Sequence, residues 1–345
     1  MVRLFDLAVQ KGGSDILVTA GSPPRIRIHG DLRPVGTKAL TPEDVKRWCY
    51  AIVHSEQVAR FERERELDFS FDYQGKYRFR GNLYFQRGAV GGAFRIISMT
   101  IPELEPLNLP PILREFALRP QGLFAVTGPT GHGKSTTLAA MVGIINHQRE
   151  CHVVTVEDPI EFLHQNIRSI VDQREVGSDT LSFAEALKHV LRQNPDVILV
   201  GEMRDPETMS AALTAAETGH LVLTTLHTND AVQAIDRIVD SFPPHHQSQV
   251  RTQLAFSLLA VMSQRLVPRA DGKGLHVVVE FLVNTPAVAH LIRDGKLPQV
   301  YSMMETGGKE GMVTMDHALK QLALDGVISF EEAKRRMRNP AALTR

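Results

Sequence analysis

Gly128-Pro129-Thr130-Gly131-His132-Gly133-Lys134-Ser135 matches the phosphate-binding loop pattern G-x-x-x-x-G-K-[ST] at every fixed position. Three glycines let the backbone turn tightly enough for successive N–H groups to face phosphate oxygens. Lys134 adds a point charge near the β and γ phosphates, and Ser135 brings a hydroxyl suited to Mg²⁺. His132 fills a free position of the pattern and is given no chemistry of its own. The flanks make the match specific. Leu123-Phe124-Ala125-Val126-Thr127 reads as a short buried strand and Thr136 to Asn146 as a helix, with Leu138, Met141, Val142 and Ile145 on one face. A glycine loop between a strand and a helix N-terminus is a cradle for a triphosphate, so Gly128 to Thr136 is the expected nucleotide-binding segment.

Hydrolysis needs groups that position a metal ion and a water, and two carboxylate sites follow downstream. The run Val153-Val154-Thr155-Val156 reads as a strand whose end delivers Glu157 and Asp158, with Glu161 close behind. Another, Val197-Ile198-Leu199-Val200, ends in Gly201-Glu202, while Asp196 precedes it. A third, Leu221 to Leu226, exposes His227 at its end. In an open α/β sheet the carboxyl ends of the strands line the ligand crevice. Any one of these groups alone is ordinary loop chemistry, but three strand ends after a phosphate loop are not.

The rest of the chain frames this core. At 345 residues, 43% hydrophobic, two domains are expected. Leu67, Phe69, Phe71 and Tyr73 alternate with polar residues, and Tyr77 and Phe79 resume after a Gln74-Gly75-Lys76 turn, which is a hairpin pattern. Thr41-Pro42-Glu43-Asp44 opens a helix with a hydroxyl cap. The reading is a mixed α and β domain over 1–100, a proline-rich linker over 101–111, and a layered α/β domain over 112–345 with a helical tail. Helical stretches are expected at Phe183 to Arg192 and Thr208 to Thr218. Lys+Arg and Asp+Glu both total 39, so no overall field draws nucleic acid, and no basic, aromatic-interleaved stretch argues for a translocase. Cys49 and Cys151 are too few for a zinc site and read as reduced thiols of a cytoplasmic protein. The N-terminal stretch does not read as a signal peptide. The apolar run Leu254 to Val261 is too short to span a bilayer, and Leu254, Leu258 and Val261 fit one helical face. Pro243-Pro244-His245-His246 reads as a polar loop rather than a metal site.

Taken together, the phosphate loop, the acidic box Val156 to Phe162, the stretch Asn194 to Asp205 and the histidine box Thr224 to Asn229 resemble the secretion ATPases of the PilT branch. The likeness extends to Gln173 to Gly177, Thr314 to Leu319, Gly12 to Asp15 and Tyr77 to Arg80. It implies a RecA-like P-loop ATPase core, a smaller α+β (PAS-like) N-terminal domain and a helical C-terminal region. It also implies ATP and Mg²⁺ as ligands, held by Gly128, Pro129, Thr130, Gly131, His132, Gly133, Lys134, Ser135 and Thr136. Glu157 would orient the attacking water, Glu202 with Ser135 would support the metal, and His227 would report the γ phosphate. The resemblance further implies a homo-hexamer with nucleotide between subunits, in which Arg80 and Arg95 are candidates for contacts in trans. An inner-membrane platform protein and a paralogous motor ATPase are the implied partners, with no nucleic acid. The activity implied is type IV pilus retraction, with an accessory or extension/secretion-type ATPase of the same superfamily as the alternative; retraction is favoured because the four-cysteine insertion and longer N-terminal region usual in extension and secretion members are not seen. One departure stands out. The family segment A-I-R-N-L-I-R-E is Ala287-Val288-Ala289-His290-Leu291-Ile292-Arg293-Asp294 in this chain, with alanine at the first arginine.

Overall fold

The computed structural model describes residues 1–28, 30–74, 77–97 and 100–343, and the chain divides into two units, Met1–Thr100 and Ile101–Arg345. In the first, α1 (Val2–Gln10) precedes β1 (Asp15–Val18), β2 (Arg25–Ile28) and β3 (Asp31–Pro34). Helices α2 (Pro42–Tyr50) and α3 (Ser55–Glu64) then lead to β4 (Glu66–Tyr73), β5 (Tyr77–Gln86) and β6 (Ala89–Ile97). The six strands form one antiparallel sheet in the order β3-β2-β1-β6-β5-β4. Helix α2 opens with reciprocal caps: Thr41 Oγ1 accepts from the Asp44 N–H at 3.1 Å, and the Asp44 carboxylate accepts from the Thr41 N–H at 3.4 Å. Leu67, Phe69 and Tyr73 turn to the buried face of β4 as the alternation requires, whereas Phe71 is only half-buried. Phe5 of α1 fills the centre, its ring 4.5–5.6 Å from those of Phe71, Tyr73, Phe79 and Phe94. Gly75 and Lys76 of the expected turn lie outside the described residues.

The second unit begins with the proline-rich stretch 101–111, where Leu104 and Leu109 are buried in the same core as Leu113 and Met141. Its elements are α4 (Leu113–Ala117), β7 (Gly122–Thr127), α5 (Lys134–Gln148), β8 (His152–Glu157), β9 (Ile170–Glu175), α6 (Phe183–Val190), β10 (Val197–Val200), α7 (Pro206–Glu217) and β11 (Leu221–Leu226). They continue with α8 (Ala231–Asp240), α9 (Pro244–Ser257), β12 (Leu258–Pro268), β13 (Leu275–Val283), α10 (Pro286–Arg293), α11 (Leu297–Thr306), α12 (Met315–Leu324) and α13 (Phe330–Arg336). The sheet runs β13-β12-β7-β11-β10-β8-β9, parallel throughout except for β13, which pairs antiparallel with β12 at the edge.

Both faces of this sheet are covered, which explains the near-continuous apolar strands. On β7, Leu123 and Ala125 join the core beneath α6, α7 and α8, while Phe124 and Val126 join the core beneath α5. Helix α5 is buried beyond its expected face, with Thr137, Ala139, Ala140 and Asn146 also withdrawn from solvent. Two expectations are corrected. Leu254, Leu258 and Val261 do not share a helix: α9 stops at Ser257, and Leu258 and Val261 lie on β12, the strand beside β7. Their i, i+4, i+7 spacing mimics a helical stripe because β12 is buried on both faces and shows no alternation. His245 and His246 sit not in a loop but in the first turn of α9, where Pro244 suits the helix start.

Candidate nucleotide-binding site

Parallel pairing brings four strand ends together. Leu226 of β11 registers with Thr127 of β7, and Val200 of β10 with both Thr224 of β11 and Val156 of β8. The segments leaving those strands therefore lie side by side as phosphate loop, His227, Glu202 and Glu157. They border a cleft of about 400 Å³ also lined by Asp158, Glu161, Phe162, His164 and Arg204.

The loop adopts the backbone its glycines permit, with φ of 144° at Gly128, 78° at Gly131 and 82° at Gly133. Gly128 is required twice over, since a Cβ there would lie 2.3 Å from the carbonyl oxygen of Gln264 on β12. Lys134 Nζ donates to the loop's own carbonyls, Gly128 at 2.8 Å and Pro129 at 3.0 Å, and lies 3.5 Å from His227 Nδ1. Burial lowers the Lys134 pKa, and the charges of Glu202 and Glu161 oppose that shift. At the root of the loop, Thr127 Oγ1 donates to the Thr228 carbonyl at 2.8 Å and accepts from the Thr228 N–H at 2.9 Å, joining it to the histidine box.

Strand β12 supports the loop from outside the cleft. Gln264 Nε2 donates to the His132 carbonyl at 2.8 Å, its Oε1 accepts from Thr137 Oγ1 at 2.7 Å, and the Leu266 N–H donates to His132 Nδ1 at 2.9 Å. The His132 ring is thus occupied by β12 and does not line the cleft. The same strand holds the end of the histidine box, where Ser263 Oγ and an Arg265 Nη each donate to the Asn229 carbonyl at 3.1 Å. Arg265 also reaches the carbonyl of Arg336 at the end of α13, at 3.5 Å. Sequence reasoning missed all of this. A buried glutamine inside an apolar strand carries no periodic signal.

The two glutamates differ in environment. Glu202 Oε1 lies 2.7 Å from Arg204 Nε and 2.9 Å from His227 Nε2. Burial alone would raise the Glu202 pKa, but Arg204 and His227 outweigh it and hold the group below the usual carboxylate range. Glu157 has no ion pair among the described residues. Burial pushes its pKa up, against donors from Thr155 Oγ1 at 2.6 Å and Gln173 Nε2 at 3.1 Å. Asp196, at the opposite end of β10, is structural: its carboxylate accepts from the His152 N–H at 2.8 Å and ties β10 to β8.

Arg80 and Arg95, singled out in the first domain, are direct cross-strand neighbours on β5 and β6. Arg95 pairs with Asp15 at 2.8 Å, while Arg80 is exposed and has no ion pair among the described residues. Like charges facing each other across a sheet are unfavourable, and the Asp15 carboxylate beside Arg95 offsets part of that repulsion. Ala289 is half-buried against the core, and Arg293 on the same helix contacts His290 Nδ1 at 2.9 Å.

No helix among the described residues is long and apolar enough to cross a membrane. Residues 104–275 match the family described as "Type II/IV secretion system protein". The chain is 45% identical to the type IV pilus retraction ATPase PilT of Pseudomonas aeruginosa over 340 residues, covering 99% of this chain and 98% of that one. It is also 45% identical to the type IV pilus ATPase PilU of the same organism over 331 residues, covering 96% and 87%. The solved structure of the pilus retraction motor PilT with bound ADP superposes with a TM-score of 0.93 at 45% identity, covering 99% and 98% of the two chains.

Proposed function

This chain belongs to the type II/IV secretion system family and is a P-loop ATPase within it, and from that premise we propose that it is the motor of type IV pilus retraction. The observation that carries the reading is the full-length likeness to PilT, joined to one cleft in which Lys134, Glu157, Glu202 and His227 all converge. ATP is the substrate. Its phosphates lie over the N-terminus of α5, on the loop N–H groups and Lys134.

Glu157 orients the attacking water and takes its proton as the bond from the γ phosphorus to the bridging oxygen breaks and ADP departs. Its raised proton affinity favours that role over Glu202, which its cationic neighbours hold as an anion. Ser135 and Glu202 are the residues that would hold Mg²⁺. The donor set suits that ion: both supply oxygen, and among the described residues no cluster of three or more His, Cys, Asp or Glu could hold a metal unaided. When bound, Mg²⁺ neutralises charge that develops on the phosphates. His227, between Lys134 and Glu202, links the phosphate end of the cleft to the acidic one.

The protein works as a cytoplasmic homo-hexamer in which Arg80 and Arg95 of one subunit reach the nucleotide of the next. Arg80, free of any partner among the described residues, is the better placed of the two to stabilise developing charge. Hydrolysis drives domain motion that the ring passes to an inner-membrane platform protein. A second reading, an accessory motor that works beside a paralogue, is compatible with the equal identity to another type IV pilus ATPase, PilU. Counting surface pili in a deletion strain complemented by wild type or by Lys134→Ala separates the two. Excess pili without twitching, rescued only by wild type, is the retraction result. An unchanged count supports the accessory role, and bald cells would overturn both.

A further inference from the structure

We propose that His132 is a positioning residue for the nucleotide, whose neutral imidazole stands in for a missing strand and holds the phosphate loop against β12. The inference rests on the reading that this loop holds the phosphates. Strand β7 ends at Thr127, whose register partner on β12 is Ser263, yet β12 runs on to Pro268. Beyond Ser263 the β7 side of β12 has no strand beside it, because the chain turns there into the loop. The Leu266 N–H faces that side and donates to His132 Nδ1 at 2.9 Å.

Residue 132 is gripped twice, since its carbonyl also accepts from Gln264 Nε2 at 2.8 Å. A backbone N–H can only donate, so Nδ1 carries no proton and the ring is the neutral tautomer with its hydrogen on Nε2. A protonated ring would set a second donor against the Leu266 N–H and break the contact. The charged groups around the ring are Arg336 of α13, Lys134 of α5 and Arg265 of β12, all cations, and Arg336 is itself paired with Glu332. Burial, helped by those three charges, lowers the His132 pKa. The contact is therefore in place at neutral pH and given up on acidification, below the ordinary histidine value.

A loop fixed before the nucleotide arrives spares the ligand the cost of ordering it. His132→Leu keeps an apolar body and removes the acceptor, whereas His132→Asn returns an acceptor, Oδ1, at the position of Nδ1. The assay is calorimetric ADP binding, with steady-state ATPase activity and melting temperature measured alongside. Loss of one hydrogen bond corresponds to about 3- to 10-fold in Kd. The expected result is that weakening in His132→Leu, with a rise in KM that exceeds any fall in kcat, and recovery in His132→Asn to within about twofold of wild type.

ADP titrations repeated between about pH 7.5 and about pH 5 test the neutral ring. The ratio of the wild-type Kd to that of His132→Asn cancels the titration of the nucleotide and of the cleft, and it should rise as pH falls. Should His132→Leu fail to fold, that ratio decides alone. Wild-type affinity in His132→Leu, an asparagine variant as weak as the leucine one, or a ratio independent of pH overturns the proposal while leaving the phosphate loop in its role. A Lys134→Ala variant that binds ADP as tightly as wild type would instead remove the reading of the loop itself.

Discussion

Gly128 and Gly131 both have positive φ, yet the structure separates them sharply, and their alanine variants make a controlled pair. At Gly131, φ is 78° and a Cβ would meet nothing within 4 Å, so Gly131→Ala carries only the left-handed backbone cost of about 1–2 kcal/mol. At Gly128, φ is 144° and the Cβ would stand 2.3 Å from the Gln264 carbonyl oxygen. The obstacle is backbone of a strand paired on both sides, so no rotamer change can relieve it. Either the loop lifts off β12 or β12 shifts. A glycine-only φ costs about 1–3 kcal/mol, and the clash adds to it, so the combined penalty is about 3 kcal/mol or more. Where the loop escapes by losing its phosphate-binding shape, the penalty falls on ligand affinity, about 100-fold or more in Kd. Calorimetric ADP binding and thermal melting together read both escape routes. Gly131→Ala should weaken ADP by at most about 30-fold or, where the cost falls on stability instead, lower melting only slightly. Gly128→Ala should lose 100-fold or more in affinity or, if β12 yields, melt several degrees lower. Two near-identical variants, or Gly131→Ala as the worse of them, would refute the packing argument.

Other expectations follow from the same geometry. Because Glu157 must be ionised to act, kcat should fall on the acid side with an apparent pKa above the ordinary 4.5, and Thr155→Val should move that limb higher still; a limb at or below 4.5 contradicts the assignment. In stability terms Glu157 binds its proton more tightly when folded, so its contribution favours folding at low pH and is lost as pH rises through the folded value. His164 has the opposite sign: burial holds its pKa down to about 4, so the folded state gains up to about 3 kcal/mol at neutral pH that disappears as pH falls from 6.5 towards 4. Melting curves of His164→Gln should therefore depend less on acid than those of wild type, and parallel curves would exclude the effect. Glu280 of β13 is buried and accepts from the first N–H groups of α8 and α12, Ala231 at 2.7 Å and Met315 at 3.1 Å. Glu280→Ala should cost about 2–4 kcal/mol by denaturant melt with Glu280→Gln in between, and a neutral alanine variant would mean that neither helix depends on it. Arg80→Ala should lower kcat at saturating ATP while leaving ADP affinity unchanged, and unaltered turnover would remove Arg80 from the chemistry.

What was legible in the sequence had a local cause. Strands such as Val197–Val200 and Leu221–Leu226 are β-branched or leucine-rich runs bounded by polar residues, and they were readable to the residue. The positions of Glu157, Glu202 and His227 at strand ends followed from those boundaries alone. Their order across the sheet did not, because crossover connections are invisible in a linear pattern; His227 stands between Lys134 and Glu202 only because β11 inserts between β7 and β10. Strand β12 was missed where a two-faced burial imitates helical spacing. Gln264, Thr155 and Gln173 were missed as supports because their importance lies in partners far along the chain, as with Gln264 and the His132 carbonyl.

Four consecutive residues of β12, Ser263 to Leu266, bear on the phosphate loop, the histidine box and the last helix at once. Those three segments share a boundary condition. In a close-packed interior a displacement is passed on rather than absorbed. Through Arg265 the same strand also touches the Arg336 carbonyl at the end of α13, so a displacement of the phosphate loop passed to β12 is expected to be felt there. A spectroscopic label beside Arg336 would watch nucleotide arrive and leave without touching the cleft.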